Sequence, residues 1–228
     1  MSGSILKLLA LFFMIIDHVG VYFITNPEIN TIFRTLGRIS APLFFFIFTV
    51  GFIHTSNREK YRQRLFISAV IMEIGKILLQ LTMGINISAN ILFTLWLGFL
   101  FLENLEKYKT EKLKSILILV VLTIIFGYAE YSHLALLCIL TFYFYNKALP
   151  KYNKNKCDMI LLLVYSLISI IYPIVTNIPT QIFMILSIIP ITYYNGQKGY
   201  TNKYLKSFYY IFYIVHIWIF AILKHLLM

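Results

Sequence analysis

Asp17 and His18 stand side by side inside the apolar run Ile5–Ile24. A carboxylate beside an imidazole in low dielectric suits a general base and the group that orients it. Adjacent helical residues point about 100° apart, so Asp17 either serves His18 indirectly or pairs with another helix. A buried polar pair that only fixes packing is the competing reading. Lys7 precedes His18 by eleven residues, a spacing within about 20° of three whole helical turns and roughly 16 Å along the axis. That register predicts a cation at the membrane mouth below a base lying deeper. Such a pair suits an extended donor with a phosphate end and a reactive end, although a lysine ending a span is also an ordinary topology signal.

Each charge within a span costs roughly 2.5–3.5 kcal/mol and needs a reason. Glu73 and Lys76 are three residues apart and can neutralise each other on one helix face. Glu130 and His133 share that spacing and read either as an exposed polar cluster at a tight turn or as acceptor-binding groups. His216 lies midway through the last apolar run, as a packing residue or a second active-site group. Arg34 and Arg38 fall in or beside the first external connection. They either snorkel to the interface or hold an anionic group in a polar cavity. His-Glu-x-x-His, Gly-x-Ser-x-Gly and Walker A patterns are absent from the sequence, which leaves metalloprotease, serine hydrolase and ATPase chemistry without support. No metal is expected, and Cys138 and Cys157 have neither metal nor disulfide spacing.

Positioning these groups falls to helices in lipid. Apolar residues form 60% of the 228-residue chain and charged residues 13%, against roughly 45–50% and 25% in a soluble domain. The expected fold is all-α, a polytopic membrane bundle in a single domain over residues 1–228. Nine apolar segments approach the roughly 17–25 residues a spanning helix needs: Ile5–Ile24, Ile39–Thr55, Leu65–Met83, Ala89–Leu105, Leu113–Tyr128, Ser132–Asn146, Met159–Val175, Pro179–Tyr194 and Leu205–Leu226. The first continues past Asp17-His18 without a small-residue cleavage pattern and is read as a span rather than a signal peptide. Arg58, Lys60, Arg62 and Arg64 follow the second segment, Lys107, Lys109, Lys112 and Lys114 the fourth, Lys147, Lys151, Lys154 and Lys156 the sixth, and Lys198, Lys203 and Lys206 the eighth. The connections at 84–88, 129–131 and 172–177 carry no Lys or Arg. This alternation predicts a cytoplasmic N-terminus and an external C-terminus in a multi-pass protein of a bacterial cytoplasmic membrane. It also accounts for the net charge of +11 without invoking nucleic acid.

Several blocks carry a family resemblance. The first span, Leu6 through Gly20 with Asp17-His18 inside it, resembles the opening of the TraX family. Gly37-Arg38-Ile39-Ser40-Ala41-Pro42-Leu43-Phe44, Gly51-Phe52-Ile53-His54-Thr55, Glu73-Ile74, Asn90-Ile91-Leu92-Phe93-Thr94-Leu95 and Phe212-Tyr213-Ile214-Val215-His216 resemble its later segments, in order. The chain departs from that pattern at Gly75-Lys76, at Ser132 after Glu130-Tyr131, and at Val215. TraX-like proteins are membrane acetyltransferases, named for N-terminal acetylation of a pilin, and look related to transmembrane acyltransferases whose first span spaces a basic residue and a histidine as Lys7 and His18 are spaced. The resemblance implies acetyl-CoA as donor and His18 as the catalytic residue with Asp17 as its neighbour. It further implies Lys7 and Arg38 for the donor, and Glu73, Asn90, Thr94, Glu130 and His216 on the substrate side. A secreted or membrane-associated peptide becomes the expected acceptor. A proton-coupled transporter and a bacteriocin-immunity-type membrane protein without catalysis remain the rival classes.

Overall fold

The computed structural model describes residues 1–88 and 90–227. Among them it is all-helical: α1 (Gly3–Phe23), α2 (Pro27–Gly37), α3 (Ser40–His54), α4 (Arg58–Met83), α5 (Ile91–Lys107), α6 (Lys112–Phe126), α7 (Ser132–Ala148), α8 (Lys154–Thr176), the 3-10 segment η1 (Pro179–Ser187), α9 (Ile188–Thr192) and α10 (Lys203–Leu227). Five stretches are long and apolar enough to cross a membrane: Gly3–Phe23, Pro27–His54, Arg58–Met83, Lys154–Thr176 and Ser207–Leu227. Leu and Ile side chains stand exposed along the outer faces of α4, α6 and α8. A surface of that kind belongs in lipid, where helices satisfy their own backbone. The expected start of the fourth span at Ala89, and the side chains of Lys203 and Lys206, lie outside the described residues.

The largest departure from expectation concerns residues 25–38. Most of them form a helix rather than a loop; α2 and α3 run back along α1 as one interrupted apolar stretch long enough to cross a membrane. Asn26 begins α2 by accepting the backbone amides of Glu28 and Ile29, with Pro27 in the first turn. Asn30 donates to the carbonyls of Gly20 (2.7 Å) and Ile24 (2.8 Å), which satisfies acceptors that the end of α1 leaves open. Further along, Ser40 donates to the Ala10 carbonyl at 2.8 Å. The interruption at Arg38-Ile39 has a cause in Pro42, which lacks the amide that would bond the Arg38 carbonyl in a continuous helix. Arg34 and Arg38 therefore lie beside the second half of α1, at the level of Asp17.

The eighth segment also differs, because nine of its residues wind as a 3-10 helix before the short α9. Three residues per turn stack positions i and i+3 on one face, and the buried residues of η1 are Gln181, Met184 and Ser187. Tyr165 on α8 donates to the Met184 carbonyl at 2.9 Å and lies 2.9 Å from the Ser187 hydroxyl. The long α4 shows ordinary termini. Asn57 accepts the Lys60 amide at 2.8 Å, and Gly84, at φ 69°, returns its amide to Gln80 while Ile85 returns its own to Leu79.

The basic connections converge on one end of the bundle. Arg58 and Lys147 both bond Glu106, Arg62 bonds Glu103 at 2.9 Å, and Lys154 donates to the Thr192 carbonyl at 2.7 Å. Burial pushes Glu106 upward, but hydrogen bonds from Arg58, Lys147 and Tyr143 outweigh it and hold the carboxyl at about 2. The amide of Gly3 donates to the Gln197 carbonyl at 2.8 Å, so the start of α1 lies at this basic end as well.

Candidate functional site

His18 faces α10. Its Nδ1 lies 2.7 Å from Nε2 of His216, with the two rings stacked at 4.9 Å between centroids. His216 is buried and keeps a second contact of 2.7 Å from Nδ1 to the Phe212 carbonyl one turn earlier on α10. Phe212, Tyr213 and Phe220 pack around the His216 ring, and Tyr22 lies edge-on to His18. His216, read from sequence either as a packing residue or as a second active-site group, is thus the direct partner of His18.

Asp17 turns the other way. Its Oδ2 accepts from Nη1 of Arg34 at 2.7 Å, and its Oδ1 lies 4.0 Å from Nη2 of Arg38. Arg38 is buried and donates to Oε1 of Gln181 at 3.2 Å, across the interruption between α2 and α3. Gly37 makes the approach possible, since a Cβ built there would overlap the Asp17 side chain. Of the two alternatives for Asp17, indirect service to His18 or pairing with another helix, the structure shows the second, an ion cluster that ties α1, α2 and η1 together. Adjacent helical residues diverge by about 100°, and the arginines lie on the Asp17 side.

Glu73, Asn90, Thr94 and Glu130 come together as a second polar group, within reach of the histidines through Tyr213. Asn90 caps α5 by accepting the Phe93 amide at 3.1 Å, while its Nδ2 donates to Glu73 at 2.8 Å and to the Ala69 carbonyl at 3.2 Å. Glu73 also pairs with Lys76 at 3.0 Å, as their spacing predicts. Thr94 donates to the Glu130 carbonyl at 3.0 Å, and the Tyr213 hydroxyl accepts the Ile91 amide at 3.0 Å and donates to the Glu130 carboxylate at 3.4 Å. Glu130 and His133 do not pair. Tyr131 and Ser132 take positive φ, 63° and 47°, which sends Glu130 inward, while His133 contacts Ser132 Oγ and the Thr123 carbonyl.

Lys7 lines a cavity of about 310 Å³ between α1, α3, α4 and α10. Arg64, Lys198 and His54 supply further basic groups to its wall, Tyr61, Tyr209 and Tyr210 supply aromatic surface, and Tyr213, Ile91 and Leu92 line it as well. Nζ of Lys7 sits 5.4 Å from the centroid of the Tyr209 ring. Tyr213 therefore belongs both to the cavity and to the groups around His216. Arg38 does not line this cavity. No cluster of three or more His, Cys, Asp or Glu suited to a metal occurs among the described residues.

A family model described as TraX protein matches residues 2–224. The chain belongs to the TraX family. An uncharacterized protein of Rickettsia prowazekii (strain Madrid E), RP591, is 36% identical over 95 residues, which cover 42% of this chain. That stretch spans only 34% of the relative's own length. No solved structure matches.

Three residues of this TraX-family site escaped a reading from sequence. Tyr213 stands in the Phe212–His216 segment but showed no sign of joining Glu130 to the cavity. Gln181 was not singled out, in a segment read as an α-helical span. Tyr131 lies in a turn whose left-handed backbone nothing in its composition announces, since positive φ is uncommon for a bulky residue.

Proposed function

We propose that this TraX-family chain transfers an acetyl group from cytoplasmic acetyl-CoA to an amine or hydroxyl, with a peptide N-terminus as the first acceptor to test. The observation that carries this reading is the course of the cavity. It has Lys7, Arg64, Lys198 and His54 in its wall, and it also takes in Tyr213, whose ring centroid is 5.9 Å from that of His216, the partner of His18. Cations near the basic end and imidazoles deeper in the bundle match a long donor with phosphates at one end and a thioester at the other. At about 310 Å³ the cavity is at the small end of ligand pockets, roughly 300–1,000 Å³. It suits a narrow pantetheine-like arm, with the phosphates held at the basic mouth.

Acetyl-CoA supplies an activated acyl carbon, and the acceptor attacks it as the carbon–sulfur bond breaks. His18 receives the acceptor's proton or carries the acetyl group itself. The Arg34–Asp17–Arg38 cluster holds α2 against α1 beside His18. Glu73, Asn90, Thr94 and Glu130 line the acceptor side. In this reading the basic end faces the cytoplasm, the shorter helices α5, α6 and α7 and the Pro179–Thr192 stretch also lie within the bilayer, and the acceptor approaches from the opposite face.

One observation favours a proton-coupled carrier instead. The α2–α3 interruption and η1 meet through Arg38 and Gln181, and broken helices with buried charges occur in transporters. The two readings separate in protein reconstituted in nanodiscs with acetyl-CoA and a peptide bearing a free N-terminus. Acetyl transfer should raise the peptide mass with wild type and fail with His18→Ala. Equal acetylation by both proteins, or none by folded wild type, would overturn the acetyltransferase reading.

A further inference from the structure

The two contacts of His216 restrict where protons can sit. Its Nδ1 is 2.7 Å from the Phe212 carbonyl, and a carbonyl oxygen only accepts, so this nitrogen carries hydrogen. In a neutral ring Nε2 of His216 is then bare and must accept across the 2.7 Å contact to His18. Nδ1 of His18 accordingly carries hydrogen, and its Nε2 is left as a free base. Any other arrangement that satisfies both contacts needs an imidazolium, either His18, which then has no bare nitrogen, or His216, which removes the base from His18. The latter would put a full charge between Phe212, Tyr213 and Phe220. Among the described residues no carboxylate is hydrogen-bonded to either ring, and an uncompensated cation at that depth is disfavoured.

From this geometry we infer that His216 is the positioning residue for His18, holding it in the tautomer whose Nε2 is basic; the inference rests on the acetyltransferase reading. A main-chain carbonyl here takes the place that a carboxylate fills in other histidine bases. Because that carbonyl cannot take up a proton, the chain ends at Phe212. The proton that Nε2 of His18 removes from the attacking amine therefore returns to the departing sulfur, which leaves as the thiol while the new carbon–nitrogen bond replaces the carbon–sulfur bond.

The test is ¹⁵N NMR of histidine-labelled protein in nanodiscs without donor, with the His18 signals assigned by their loss in His18→Asn. Wild type should show His18 protonated at Nδ1 and bare at Nε2. His216→Phe keeps an aromatic ring against Phe212 but removes the acceptor, so His18 should redistribute between tautomers. In the acetylation assay, kcat should fall roughly 10²–10⁴-fold, the usual scale of general-base catalysis, with KM for acetyl-CoA unchanged. His216→Gln places an amide oxygen near the position of Nε2 and should recover both the tautomer and much of the rate. A bare Nδ1 in wild-type His18, or a tautomer indifferent to His216→Phe, would overturn the inference. Failure of the acetyltransferase reading looks different: the tautomer shift would be present while no variant, nor wild type, consumes acetyl-CoA.

Discussion

Replacing Asp17 by Asn leaves two guanidiniums facing a neutral amide. Arg38 feels this most, since its side chain is 10% exposed against 27% for Arg34. Breaking a buried ion pair from one side costs about 3–5 kcal/mol. The amide oxygen of Asn can still accept from Arg34, a bond worth about 1 kcal/mol net, which brings the expected loss to roughly 2–4 kcal/mol. At about 2–4 °C per kcal/mol for a chain of this size, the melting temperature should fall by roughly 4–16 °C. Circular dichroism of protein in nanodiscs measures it. Arg34→Leu alone should destabilise comparably, and in the Asp17→Asn background it should cost about 1–3 kcal/mol less than in wild type, as for residues in direct contact. An unchanged melting temperature in Asp17→Asn, or effects of the two changes that add within about 0.5 kcal/mol, would refute the ion cluster.

Other expectations follow from single contacts. A Cβ built on Gly75 overlaps the Trp218 ring, so Gly75→Val should cost about 1–3 kcal/mol by overpacking and shift Trp218 fluorescence in a Trp96→Phe background. Glu106 is held at about 2 in the fold, below its unfolded value near 4.3, so its contribution is fully present above about pH 4.5 and is lost as pH falls toward 2. Its partners are partly exposed to solvent, which limits the contribution to about 1 kcal/mol. Urea melts of wild type and Glu106→Gln should therefore differ at pH 7 and converge near pH 2. Arg64→Ala should weaken acetyl-CoA binding roughly tenfold by titration calorimetry, the scale of one charge-assisted hydrogen bond, with the fold retained.

The helices themselves were legible because lipid leaves few alternatives for so apolar a chain, and basic loops alternate with uncharged ones. The histidines, Glu73 and Glu130 could be singled out by type, because ionisable groups in apolar helices need partners; Asn90 and Thr94 stood out only through the family resemblance. Which group met which partner was less accessible. His18 and His216 lie on α1 and α10, and periodicity along one helix cannot supply the register between two. The helical screw already allowed Asp17 to pair with another helix, but which helix and which residue, Arg34 on α2, the sequence did not say. Arg34 and Arg38 stayed open between the interface and a polar cavity because α2 is only 11 residues long; Pro42, which cannot donate to the Arg38 carbonyl, marks where α2 and α3 part. Gln181 stayed hidden because its period of three belongs to a 3-10 helix, seldom longer than a few residues.

The most direct test of the account is titration of purified protein in nanodiscs with acetyl-CoA, comparing wild type, Lys7→Ala and His18→Ala. The account predicts saturable binding competed by CoA, roughly tenfold weaker in Lys7→Ala, the loss of one charged contact, and near wild type in His18→Ala. Absence of binding in folded wild type, or equal binding in Lys7→Ala, would contradict a donor site in the cavity that Lys7 lines.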